Sequence, residues 1–198
     1  MWPKEHGAYA QLAIPLVTAL VAGRPTIAAA LFALAACAAF FAHEPGAILI
    51  GARGTRARRE EGPRARRWLA GTASIAALSG LSALALAPDA RLLAFAALAV
   101  AAFAGLVLYE RKERTVAGEI VAAVALSGAA APVGAACGLS APIVLVCWAV
   151  WTAQCVVSTF AVHALVRRHV SGKTLRATGY ALAVMMTMSG ASLAIGAR

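Results

Sequence analysis

Residues 25–67 read PTIAAALFALAACAAFFAHEPGAILIGARGTRARREEGPRARR, and their order decides the architecture. The stretch is apolar from Pro25 to Phe41, is broken by His43-Glu44-Pro45, and resumes from Gly46 to Ile50. It then gives way to seven arginines between Gly51 and Arg67. Crossing a bilayer as a helix takes roughly 20 apolar residues, and a proline is tolerated within such a helix as a kink. The stretch therefore predicts a membrane span over 25–50, kinked at Pro45, and a basic cytoplasmic loop over 51–67.

Working outward, six more apolar runs reach spanning length, over residues 7–22, 68–87, 92–109, 117–138, 142–165 and 177–196. The fold class expected is all-α, a polytopic transmembrane bundle of about seven spans in a single domain over residues 1–198. Composition agrees, since 62% of the 198 residues are hydrophobic and 13% charged, at a mean hydropathy of +0.79. A soluble globule of this length has no interior large enough for that much apolar surface, and a disordered chain needs the opposite balance. The formal charge of +10 would suggest nucleic acid in a soluble protein. Here no aromatic residue is interleaved with the arginines to stack on bases, so no nucleic-acid partner is expected.

The basic residues also give an orientation, because Lys and Arg are retained in cytoplasmic loops. With seven spans, 15 of the 18 lie on one side and only Arg24, Arg91 and Arg198 on the other. The N-terminus is thus expected in the cytoplasm, in a bacterial inner membrane. Gln11 and Pro15 interrupt the first apolar run, which argues against a cleaved secretory signal. The four cysteines, all within apolar stretches, form no paired-spacing pattern and read as packing residues. Gly134 to Gly138 spells GxxxG, which in so alanine-rich a chain indicates close helix packing.

Ionisable groups at the edge of a span mark functional sites by default, because hydrocarbon penalises them. Seven of the eight acids and all four histidines fall in the cytoplasmic half. His6 opens the first span, His43 and Glu44 interrupt the second, and Glu119 follows the turn after the fourth. Thr152, Thr159 and His163 share one stripe of the sixth span, and Arg111, Thr115 and Glu119 share a face if a helix runs through them. These groups are expected to converge on a cytoplasm-facing cavity, the alternative being interfacial side chains that snorkel and pair locally. His43, Glu44 and Glu119 are the candidates for proton transfer or orientation. His6, Arg53, Arg56, Arg111 and His163 are the candidates for binding an anionic amphiphile, with membrane lipids as the surrounding partner. No HxxxH or ExxH falls within one helix, so no metal site is expected, and cofactor identity stays open.

Lys4-Glu5-His6-Gly7-Ala8-Tyr9-Ala10, Pro15, His43-Glu44-Pro45, Gly51-Ala52-Arg53-Gly54, Glu110-Arg111, Gly118-Glu119, Ser127 and Pro132 together resemble the YwiC-like family of bacterial membrane proteins. The resemblance covers most of the chain and implies a multi-pass inner-membrane protein, without naming a reaction. It also implies a somewhat longer chain than this one. A fainter likeness is to intramembrane prenyltransferases of the UbiA type, whose site opens to the cytoplasm. That family holds magnesium diphosphate on two Asp-rich motifs, whereas this chain has the single Asp89, on the opposite side. The likeness thus implies a shared architecture without the magnesium-dependent reaction. A small transporter and a membrane assembly subunit remain the alternative functions.

Overall fold

The computed structural model describes residues 6–109 and 115–166. Within them the chain forms α1 (His6–Ala22), α2 (Ile27–Leu49), α3 (Thr55–Leu86), a 3-10 turn (Pro88–Ala90), α4 (Arg91–Tyr109), α5 (Val116–Gly128), α6 (Ala130–Ala136) and α7 (Ala141–Val166). Among the described residues, five segments are long and apolar enough to cross a membrane, α5 and α6 together supplying one of them, and α1 is a shorter apolar helix. Large apolar side chains face outward along these helices, with Leu92 80% and Leu78 69% exposed. Such a surface is matched to lipid and not to water. The chain is a helical membrane protein. The expected span over 177–196 lies outside the described residues.

The α2–α3 hairpin is the most extensive contact in the bundle. Thr26 caps α2 by accepting from the Ala29 N–H at 3.1 Å, supplying one of the partners that the first turn of a helix lacks. The helix then runs unbroken through Pro45 to Leu49, and it starts two residues later than the expected span. It ends in a Schellman motif, in which the Ala52 N–H reaches the Ala47 carbonyl and the Gly51 N–H reaches that of Ile48. Gly51 takes a φ of 80°, the left-handed conformation that the motif demands, and Gly54 follows at 95°. The chain thereby reverses within five residues and starts α3.

α3 departs from the sequence reading. The polar stretch 51–67, expected as a loop, is helical from Thr55 onward and continues into the apolar run without a break. Gly62-Pro63 reads as a loop signal, but the flanking Arg, Glu and Ala are strong helix formers, and Arg56 and Glu60 pair at 2.8 Å one turn apart. A helix of 32 residues is about 48 Å long, well beyond the hydrocarbon thickness of roughly 30 Å. Gly80 packs against Ala35, which fixes the antiparallel pairing of the two helices. The apolar part of α3 begins near Trp68.

The rest of the bundle closes on α6. The span expected over 117–138 is divided at Ala129 into α5 and α6. Val133 of α6 is fully buried in the core with Leu12, Leu16, Ala29 and Phe32. At the end where α1 turns into α2, Thr26 donates to the Ala136 carbonyl at 3.0 Å and the Arg24 N–H donates to that of Cys137 at 2.9 Å. Arg91 donates from Nε to the Leu84 carbonyl at 3.0 Å, satisfying an acceptor in the last turn of α3. α6 ends in a second Schellman motif, with Gly138 at φ 84° and the Leu139 N–H on the Gly134 carbonyl. Gly134 packs closely on Val144 and Leu139, so this glycine pair serves one close approach and one turn.

A side chain at Gly138 would meet nothing within 4 Å, so its replacement isolates the backbone cost. Gly138→Ala should lose about 1 kcal/mol, and Gly138→Asn less, since Asn tolerates the left-handed region. Thermal unfolding in a mild detergent checks the order Gly, Asn, Ala.

Candidate functional site

Alternating helix direction brings the start of α1, the end of α2, the start of α3 and the start of α5 to one end of the bundle. Aromatic packing ties the first two together there. The Tyr9 ring meets Phe40 edge-on at 5.1 Å and lies 6.3 Å from Phe41, just ahead of His43 and Glu44.

Glu44 is 6% exposed although it sits on an apolar helix. Its partner is Arg53, which the Gly51 turn swings back onto α2. Arg53 Nη2 donates to Glu44 Oε2 at 2.8 Å, and Nε lies 3.2 Å from both carboxylate oxygens. The fork-on-carboxylate geometry and the low exposure, 18% for the arginine side chain, make this a charge-assisted pair of the strong kind. Glu44 and Arg53, read separately from sequence as a proton-transfer group and a headgroup ligand, are thus bonded to each other.

The remaining candidates are placed as follows. His43 is half-buried on α2, turned about 100° from Glu44 around the helix axis. Glu119 is half-buried in the first turn of α5, where the helix dipole favours a carboxylate, behind the Thr115 cap that accepts from the Gly118 N–H at 3.1 Å. α1 touches both α2 and α5, which brings the helices carrying His43 and Glu119 into one bundle. Arg56 is 89% exposed and bonded to Glu60. Arg111 lies outside the described residues, and so do the side chains of His6 and His163, although both residues belong to described helices. Of the stripe on α7, Thr152 shares a hydrogen bond of 2.8 Å with the fully buried Ser127, which fixes α7 to α5. Among the described residues, no three His, Cys, Asp or Glu side chains come close enough to hold a metal ion.

A feature that sequence reading passed over lies on the first turns of α3. A groove of about 630 Å³ runs between Leu49, at the end of α2, and the first turns of α3, lined there by Arg58, Arg59, Gly62, Pro63 and Arg66. Arg59 and Arg66 are seven residues apart and hence on one face, with Gly62 between them. Reading 51–67 as a helix would have shown this alignment. Reading it as a loop hid it.

A family model described as YwiC-like protein matches residues 2–134. The chain belongs to the YwiC-like family. The match takes in α1 through most of α6, and with them His43, Glu44, Arg53, the groove and Glu119. Comparisons with curated proteins and with solved structures return no match.

Proposed function

We propose that this YwiC-like protein is a multi-pass inner-membrane protein whose polar end faces the cytoplasm and binds or processes an anionic amphiphile, a lipid or isoprenoid phosphate. The observation that carries the reading is the buried Glu44–Arg53 pair, which closes the turn leading into the arginine-lined first turns of α3. A carboxylate and a guanidinium withdrawn from water contribute little net stability compared with apolar residues of similar volume, so their presence favours a role in shaping the site. The pair holds the α2–α3 turn, and that turn sets where the arginines of α3 stand. His43 and Glu119 supply imidazole and carboxylate at the same end for proton transfer or orientation. The cytoplasmic assignment rests on the sequence, in which seven alternating spans put 15 of the 18 basic residues on that side.

Native mass spectrometry of the full chain in mild detergent tests the reading, with wild type compared with an Arg53→Ala, Glu44→Ala double variant. The double variant leaves no lone buried charge, so it separates lipid loss from misfolding. The expected result is a co-purifying anionic lipid or isoprenoid phosphate that the double variant loses. Equal retention in both would remove the site.

A further inference from the structure

The groove on α3 differs from a merely basic surface in two ways. First, Arg58, Arg59 and Arg66 line it without any salt bridge to a carboxylate among the described residues, whereas Arg53 and Arg56 are each neutralised by a glutamate. Second, its floor is empty at a defined point: a Cβ built on Gly62 would meet nothing within 4 Å, although the residue itself is buried. Arg59 and Arg66 stand two helical turns apart on either side of that gap, about 10 Å along the axis. Each guanidinium presents two parallel N–H groups to oxygen.

The place of the groove along α3 is also informative. Leu49 forms its apolar wall, and Arg66 lies two residues before Trp68, where the apolar part of α3 begins. Tryptophan at that point marks the headgroup layer of a bilayer. A ligand seated over Gly62 has its charged end among the arginines and an apolar surface, Leu49, in the same groove.

We infer, building on the reading given under Proposed function, that this groove is a binding site for an amphiphile ending in a terminal phosphate, held between Arg59 and Arg66 over Gly62 with Arg58 adding charge. A phosphodiester offers two unbridged oxygens and one negative charge. A terminal phosphate offers three oxygens and a charge of about −1.5 to −2, which suits two opposed forks and a third cation.

The test uses the full chain in nanodiscs, with dioleoyl phosphatidic acid as the terminal-phosphate probe and dioleoyl phosphatidylglycerol as the diester probe. Wild type is expected to bind phosphatidic acid at least tenfold more tightly than phosphatidylglycerol. Arg59→Gln, Arg66→Gln should abolish that preference, whereas the charge-matched Arg64→Gln, Arg67→Gln should keep it, because neither residue lines the groove. Gly62→Leu fills the groove without removing a charge and should abolish the preference as well, with helix content unchanged by circular dichroism. Equal affinity for the two lipids, or equal losses in the two arginine doubles, would reduce the groove to diffuse surface charge and overturn the inference. Displacement of phosphatidic acid by an equal concentration of inorganic phosphate would assign the groove to free phosphate and overturn the amphiphile. If anionic lipid still depends on Glu44 and Arg53 but not on Gly62, Arg59 or Arg66, only the groove fails. If wild type binds neither lipid, the underlying reading fails with it.

Discussion

Glu44→Ala is expected to destabilise the protein by on the order of 3 kcal/mol, among the largest single-residue effects in the bundle. Truncation leaves the Arg53 guanidinium in a pocket where it is 18% exposed, with its fork facing a cavity instead of a carboxylate. Breaking a buried ion pair from one side costs more than the pair itself contributes, because the remaining charge keeps its desolvation penalty and loses its partner. Arg53 is at the rim and regains some water, which holds the estimate to the lower part of the range for such pairs. The Arg53→Ala, Glu44→Ala double variant should recover much of the loss, giving a strongly non-additive cycle. Chemical or thermal unfolding of the four proteins in one detergent measures it. Additive losses would mean that the two side chains do not act as a pair.

Gly128→Ala should cost about 2 kcal/mol, although exchanging glycine for alanine normally favours a helix. A Cβ at this position would lie 2.5 Å from Trp148 Cζ2 and 2.9 Å from Trp148 Nε1, far inside van der Waals contact. The indole cannot simply slide, because its N–H donates to the Val124 carbonyl at 3.1 Å, and Ser127 beside it is bonded to Thr152. Accommodating the methyl therefore means parting α7 from α5 or breaking that hydrogen bond. Trp148→Leu removes the obstructing ring, so Gly128→Ala should be nearly neutral in that background. Thermal midpoints of the two singles and the double check this. A stabilising effect of Gly128→Ala in the wild-type background would show that the helices stand further apart.

The fold and the site differ in how far their sequence determinants are local. Apolar length alone announces the spans, because hydrocarbon accepts only segments that satisfy their own backbone hydrogen bonds. Glu44 was conspicuous for the same reason, as a carboxylate set among Phe40, Phe41, Pro45 and Ile48. Its pairing was not visible. Arg53 follows nine residues later, out of reach along a continuous helix, and only the left-handed turn at Gly51 brings it back. Arg56 looked equivalent to Arg53 in a loop reading. In a helix it stands one turn from Glu60 and is spent on that residue. The stretch 55–67 reads as a loop from its run of arginines, but helix-forming neighbours and continuity with the apolar run carry α3 through Gly62-Pro63. The division of one expected span at Ala129 leaves no mark in hydropathy either, since Ala125 to Ala136 is almost uniformly small and apolar.

The central claim is that an anionic amphiphile sits at one place on this protein, against the end of α2 and the first turns of α3. Photo-crosslinking with phosphatidic acid carrying a diazirine near the start of one acyl chain tests it most directly, with the labelled peptides mapped by mass spectrometry. The account predicts labelling concentrated between Glu44 and Trp68 and suppressed by Gly62→Leu. Labelling spread evenly along the outward faces of α4 and α7, and unchanged by that substitution, would contradict it.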